Sequence, residues 1–108
     1  MKEQRIDFEK LGWVEKAPGA REKVVQVEGA KIRLVEFTDE FDEKDWCTKG
    51  HIGIVIEGSM NIEFEGRTVE YGKGDGLVIV AGDGGRHKAR IVKGGRVILF
   101  LVEDSRRV

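Results

Sequence analysis

Apolar and polar residues alternate along most of this chain in short runs that glycines separate. A two-residue period is typical of β-strands with one buried face, and the core region shows no sustained 3.6-residue period of an amphipathic helix. Polar-glycine pairs between the runs, such as Glu65-Gly66, predict tight turns. The pattern predicts strands at 24–27, 31–37, 46–57, 59–64, 67–71, 77–80, 87–92 and 96–102. The segment 46–57 is interpreted as one long strand or as two strands broken near Lys49-Gly50.

Eight short strands in about a hundred residues are compatible with a β-sandwich or with a closed jelly-roll barrel. Closure removes exposed strand edges, so we expect an all-β, jelly-roll β-barrel. The 108 residues leave no room for a second core, so we expect a single domain over 1–108. In this interpretation residues 24–103 form the barrel, and an irregular or short helical N-terminal segment, 1–23, packs on it.

Three details of this pattern make specific predictions. Gly58 is expected to end the long strand. The continuous apolar run 77–80 predicts a strand that is buried on both faces. Lys93-Gly94-Gly95 predicts a final hairpin between 87–92 and 96–102.

Three isoleucines share one face of the long predicted strand, at Ile52, Ile54 and Ile56. Their parity is opposite to that of the polar candidates described below, so they should point out of the barrel. An exposed isoleucine stripe is unusual in a soluble monomer. We therefore expect the N-terminal segment or a second subunit to cover it, and we predict a homodimer.

Composition and charge exclude several partners. Formal net charge is −1 with acids and bases interspersed, whereas a nucleic-acid binder should show a basic patch. No apolar run reaches the roughly 20 residues that cross a bilayer, and the first residues lack a secretory signal. The single cysteine fits a reducing compartment, so we expect a cytoplasmic protein. Gly82-Asp83-Gly84-Gly85 lacks the ending of a phosphate loop, so no nucleotide cofactor is predicted.

The segment Asp45-Trp46-Cys47-Thr48-Lys49-Gly50-His51 carries the candidate chemistry. In an extended strand Asp45, Cys47 and His51 all point to one face. His87 follows a glycine-rich stretch later in the chain and is a fourth candidate ligand. Thiolate with neutral imidazole suits Zn²⁺ or Fe²⁺ better than Mg²⁺ or Ca²⁺. The alternative for each residue is structural: a solvated acidic loop, a buried thiol, and histidines bonded to backbone.

The same parity predicts the walls of a ligand pocket. Gly53, Val55 and Glu57 follow His51 on the inward face, and Gly53 would leave space for a small ligand. Tyr71 is a further candidate for the pocket wall. Core packing is the alternative role for these side chains.

The stretch from Asp45 to Val102 resembles the small single-domain cupins. Their first motif reads G-x5-H-x-H-x3,4-E-x6-G, and with Gly58 as its last glycine His51 stands at the glutamate and Asp45 and Cys47 at the two histidines. Their second motif, G-x5-P-x-G-x2-H-x3-N, aligns with 74–82, although His87 comes two residues late. The resemblance implies a jelly-roll barrel of the cupin 2 type with a divalent metal inside it, held at altered ligand positions.

These observations predict a small cupin without a specific assigned activity. We expect a divalent metal, Zn or Fe, held by His51, His87 and Cys47 together with Asp45, and a small polar ligand beside it. If the protein is an enzyme, the resemblance implies a metal-dependent oxygenase, isomerase or hydrolase of a small molecule. The alternatives are a non-catalytic module that binds a sugar or carboxylate without metal, and a structural dimer.

Overall fold

The computed structural model describes residues 5–104 and shows an all-β fold, as predicted. The only helical pieces in this part of the chain are two short 3-10 turns, at Phe8–Lys10 and Asp83–Gly85. The first of them lies in the N-terminal segment 1–23, which was expected to be irregular or to form a short helix. Eight strands follow in chain order: β1 Val14–Ala17, β2 Ala20–Val27, β3 Ala30–Thr38, β4 His51–Phe64, β5 Arg67–Gly72, β6 Gly76–Ile79, β7 His87–Arg90 and β8 Arg96–Asp104.

All strand pairs are antiparallel, and the sheet curls into a half-barrel. Its order is β1-β2-β3-β8-β4-β5, and β6 and β7 also pair with β4. The first part of β4, from His51, pairs with β6 and β8, whereas its second part, ending at Phe64, pairs with β5 and β7. The long strand β4 therefore bends the sheet around one interior.

Gly58 does not end a strand, contrary to the prediction. It lies inside β4, where the register against β8 shifts between Val55 and Glu57. Two observations explain why this position is a glycine. Its φ is +78°, and a Cβ here would strike the carbonyl oxygen of Arg96. An extra residue in one strand reverses which side chains face inward. Buried positions accordingly change from Val55 before the bulge to Met60 and Ile62 after it.

The sheet begins earlier than the predicted boundary at residue 24. β1 and β2 form a hairpin at Gly19, and β2 pairs with β3 along its whole length from Ala20 to Val27. The start of β2 was missed because its inward position Glu22 is charged. Glu22 is only 5% exposed because Arg33 on β3 forms an ion pair with it. The predicted domain limits, 1–108, extend beyond the described residues.

Two further predictions fail where the chain changes sheets. β7 pairs with β4 and β8 pairs with β3 and β4, so 87–92 and 96–102 do not form a hairpin with each other. The run 77–80 is buried on one face only: Leu77 and Ile79 are in the core, while Val78 and Val80 are 73% and 71% exposed.

One hydrophobic core fills the concave side of the sheet. Its fully buried members include Val35, Val55 and Val97, one from each of three strands. The rest of the buried cluster is Met60, Ile62, Leu77, Ile79, Leu99 and Leu101. Among residues 5–104, no helix has the length and apolar character needed to cross a membrane.

Candidate metal centre

Cys47, His51 and His87 form one cluster on the concave side of the sheet. One potential ligand atom from each residue lies within 4.8 Å of the other two. The two imidazole rings are 5.3 Å apart between centroids and nearly perpendicular. The sequence predicted these three residues together, and the structure places them together.

Backbone hydrogen bonds hold the cluster in position. Cys47 and His87 form an isolated β-bridge in which each amide donates to the carbonyl of the other, at 2.9 and 3.0 Å. His51 begins β4 and is paired with Ile79 of β6. Cys47 lies outside β4, so Cys47 and His51 do not share one extended strand as the spacing predicted, and with His87 the ligands come from three backbone segments.

A buried carboxylate faces His51 from β8. Nδ1 of His51 lies 2.8 Å from Oε2 of Glu103, although its N–H direction is not aligned as a hydrogen bond. Arg33 contacts the same Oε2 at 2.6 Å and Glu22 at 2.7 Å. Glu22, Arg33 and Glu103 thus form a buried ion-pair network that ends at the cluster. The sequence patterns did not predict this network, although Glu103 is a charged residue in inward register with Leu99 and Leu101.

His87 is oriented by the backbone. Its Nδ1 lies 2.9 Å from the carbonyl oxygen of Gly85, which accepts a hydrogen bond from the ring when Nδ1 carries the proton. With Nδ1 of His51 facing Glu103, both rings keep Nε2 for the cluster. Histidine ligands in metal sites commonly have this arrangement, in which the second nitrogen is held by a carboxylate or a carbonyl.

Cys47 is poised to ionise. Hydrogen bonds from His51 and His87 outweigh the effect of burial and lower the pKa of its thiol to about 6. Burial lowers the pKa of both imidazoles, but contact with Cys47 raises it. Glu103 raises the pKa of His51 further, and the Gly85 carbonyl does the same for His87, so both pKa values are raised overall. Burial raises the pKa of Glu103, yet His51 and Arg33 bring it down to about 2. The cluster therefore favours the thiolate form of Cys47 at neutral pH.

A cavity of about 230 Å³ opens beside the cluster. Its polar groups are the cluster itself with Arg33, Glu43 and Lys49. The rest of its wall is apolar and comes from five strands: Phe37, Met60, Ile62, Leu77, Ile79, Ala89, Leu99 and Leu101.

Asp45, predicted as a ligand, is not part of this cluster. It is exposed in the connection before β4, where the chain is not extended and strand parity does not apply. The donor set in the described part of the chain is therefore one thiol and two imidazoles.

The four residues predicted as the pocket wall have other positions. Gly53 allows close strand contact, since a Cβ there would strike the carbonyl oxygen of Phe100. Val55 is in the core, and Tyr71 packs against that core. Glu57 is exposed because the bulge reverses the alternation after Val55. None of the four is among the residues found to line the cavity.

The donor set fits a transition metal. The three ligand atoms, all within 4.8 Å of one another, are close enough for Cys47, His51 and His87 to hold one ion together. Without metal, Cys47, His51 and Glu103 have the order of a thiol, an imidazole and an orienting carboxylate, which can activate a nucleophile.

Comparison with known proteins supports the fold. No protein-family model and no curated protein matches this sequence. Among solved structures, the polyketide cyclase RemF of Streptomyces resistomycificus has a TM-score of 0.75 at 18% identity, over 97% of this chain and 81% of that one. KdgF of Halomonas sp. has a TM-score of 0.71 at 20% identity, over 89% of this chain and 90% of that one. A cupin-2 domain protein of Shewanella frigidimarina has a TM-score of 0.63 at 22% identity, over 77% of this chain and 78% of that one.

The chain therefore has the cupin fold. A Cys47/His51/His87 cluster that could hold a metal lies inside the curled sheet. Solved structures with this fold carry different functions, including a cyclase, so the fold alone does not select an activity.

Proposed function

We propose that this protein is a small metal-binding cupin whose Cys47, His51 and His87 hold a divalent ion next to a cavity for a small ligand. The observation that carries this proposal is the convergence of three ligand atoms from three backbone segments, with Nδ1 of each imidazole next to a protein oxygen, at 2.8 Å for His51 and 2.9 Å for His87. If each of the three residues had only a structural role, their side chains would not need to converge.

The donor types favour Zn²⁺ or Fe²⁺. A thiolate with two imidazoles is a borderline-soft set that oxygen-preferring Mg²⁺ and Ca²⁺ do not match. When bound, the ion would supply Lewis acidity at its open position. The chain's own contribution is to orient both rings, to keep Cys47 ionised and to surround the site with apolar walls. If the protein is an enzyme, these features suit a metal-dependent oxygenase, isomerase or hydrolase.

A metal-free binding module is the second candidate. It is favoured by the contacts that Cys47 already makes with both histidines, which satisfy the cluster without an ion. In that case the cavity alone would recognise a small molecule.

Metal analysis of protein purified without a histidine tag separates the two candidates. We expect close to one equivalent of Zn or Fe, and we expect His51→Gln and His87→Gln to abolish its retention while far-UV circular dichroism shows the fold intact. Asp45→Asn is the matched control, since Asp45 is exposed and outside the cluster, and it should retain the ion. Less than about a tenth of an equivalent after anaerobic addition of Fe²⁺ or Zn²⁺ would exclude the metal site.

We also propose that two copies associate through the convex face of the sheet. Ile52 and Val78 are cross-strand neighbours and are 56% and 73% exposed, and Ile54 lies next to them on β4. The N-terminal 3-10 turn does not bury this patch: Phe8 packs against Phe100, the cross-strand partner of Ile54, but Ile52 and Ile54 stay 56% and 43% exposed. An exposed apolar patch of this kind suits an isologous contact with a second copy.

A reducing compartment such as the cytoplasm is part of this proposal. Cys47 serves as a ligand only as a free thiolate, and such thiols persist where glutathione keeps them reduced.

A further inference from the structure

The walls of the cavity restrict what can occupy it. Eight of its fourteen lining residues are apolar. At about 230 Å³ the space is smaller than the roughly 300–1,000 Å³ of sites that take drug-sized molecules. A sugar would bring several hydroxyls against these apolar walls, where they would lose hydrogen bonds to water without replacement. The walls therefore favour a small ligand with an apolar body.

The polar residues of the wall are mostly engaged with the protein. Arg33 contacts Glu22 through Nε and Nη2 and contacts Glu103 through Nη1. Oε1 of Glu43 accepts the amide proton of Ala89. Lys49 is different, since it is exposed and makes no ion pair within residues 5–104. An incoming polar group therefore finds its partners at the cluster and at Lys49.

We infer that the ligand of this site is a small carboxylate with an apolar body, whose head group faces the cluster and Lys49 and whose body contacts the aliphatic wall. This inference rests on the proposed metal site. It narrows the two ligand classes that the sequence left open, sugar and carboxylate, to the second. The deciding feature is the pairing of an apolar wall with the ammonium group of Lys49, whereas the one carboxylate-bearing residue of the wall, Glu43, is held by the amide of Ala89.

The test uses full-length protein loaded with Co²⁺, which reports on a thiolate and imidazole site through its visible absorption. The protein is titrated with hexanoate, with gluconate, which has the same head group on a polyol body, and with hexylamine, which has a cationic head. We expect hexanoate to shift the cobalt spectrum in a saturable way. Gluconate should bind at least tenfold more weakly, because its hydroxyls find no partners, and hexylamine should cause no shift.

Two lysine variants test the head-group assignment. Lys49→Met should weaken hexanoate binding about three- to fivefold, as expected for an exposed ion pair, and should leave the cobalt spectrum without ligand unchanged. Lys73→Met is the control, since Lys73 is exposed in the β5–β6 turn away from the cavity. Persistence of the thiolate-to-cobalt band during each titration shows that the ligand has not removed the ion.

The outcomes separate this inference from the metal proposal. A protein that takes up no cobalt overturns the metal site and this inference with it. A cobalt-loaded protein that binds gluconate as tightly as hexanoate, or that responds to neither, overturns this inference and leaves the metal site standing. Equal hexanoate affinity in the two lysine variants overturns the role of Lys49 and the carboxylate assignment.

Discussion

Nδ1 of His51 lies 2.8 Å from Oε2 of Glu103, so a buried carboxylate on the last strand fixes an imidazole at the start of β4. The two residues are far apart in sequence and meet only because β8 pairs with β4 in the curled sheet. Arg33 contacts the same carboxylate oxygen and keeps it ionised. This relationship links the folding of the sheet to the chemistry of the cluster.

Glu103→Gln should weaken metal binding by about 10- to 100-fold. In the natural protein the charge of Glu103 orients His51 and makes the imidazole more basic, and the variant loses that charge. Competition against a chelator of known affinity measures the change. Glu65→Gln is the control, since Glu65 pairs with Arg86 on the surface. Equal metal affinity in both variants would contradict a role for Glu103.

The stability of the metal-free protein should depend on Glu103 in acid. The folded pKa of this carboxyl is about 2, below its ordinary value of 4.5, so its contribution is fully present above the ordinary value and is lost as the pH falls toward 2. Between pH 7 and pH 3, the natural protein should lose about 2 kcal/mol more unfolding free energy than Glu103→Gln. Urea unfolding with chelator present measures this difference, and parallel pH profiles would refute it.

Cys47 should react with iodoacetamide at neutral pH, because its lowered pKa of about 6 makes it mostly thiolate. Added Zn²⁺ should slow the reaction strongly by occupying the sulfur. Mass spectrometry gives a clear measurement, since the chain has one cysteine. A rate that Zn²⁺ does not change would be evidence against Cys47 as a ligand.

Gly58→Ala should destabilise the fold more than Gly66→Ala. Both glycines have φ near +80°, which costs a non-glycine residue about 1 kcal/mol or more. A Cβ at position 58 also strikes the Arg96 carbonyl, whereas nothing lies within 4 Å of one at position 66. Urea unfolding of the two variants isolates the close strand approach, and equal losses would show that only φ matters.

Ile52→Lys should convert a dimer into a monomer. Light scattering during size-exclusion chromatography should change from twice the chain mass to 12.1 kDa. Val92→Lys is matched to it, since Val92 is equally exposed at 56% but lies in the loop before β8. A natural protein that elutes with the mass of one chain would rule out the proposed association.

Local pattern was informative where a strand has one buried and one exposed face. It predicted most strands, the turn at Glu65-Gly66 and the outward direction of Ile52, Ile54 and Ile56, because each depends on residues close in sequence. It failed at Gly58, which it placed at the end of the strand, and at the bulge just before that glycine. A bulge reverses parity, and its position depends on the partner strand β8, so Glu57 was placed on the wrong face.

The sequence by itself determined the all-β class and identified Cys47, His51 and His87 as the residues with ligand chemistry, since both follow from residue type and short-range spacing. Only the tertiary structure decided that Asp45 is outside the cluster, that Glu103 and Arg33 support it, and that its cavity is apolar. Those outcomes depend on which strands pair across the curled sheet. Such pairing is set by the packing of the whole core, and no local pattern contains it.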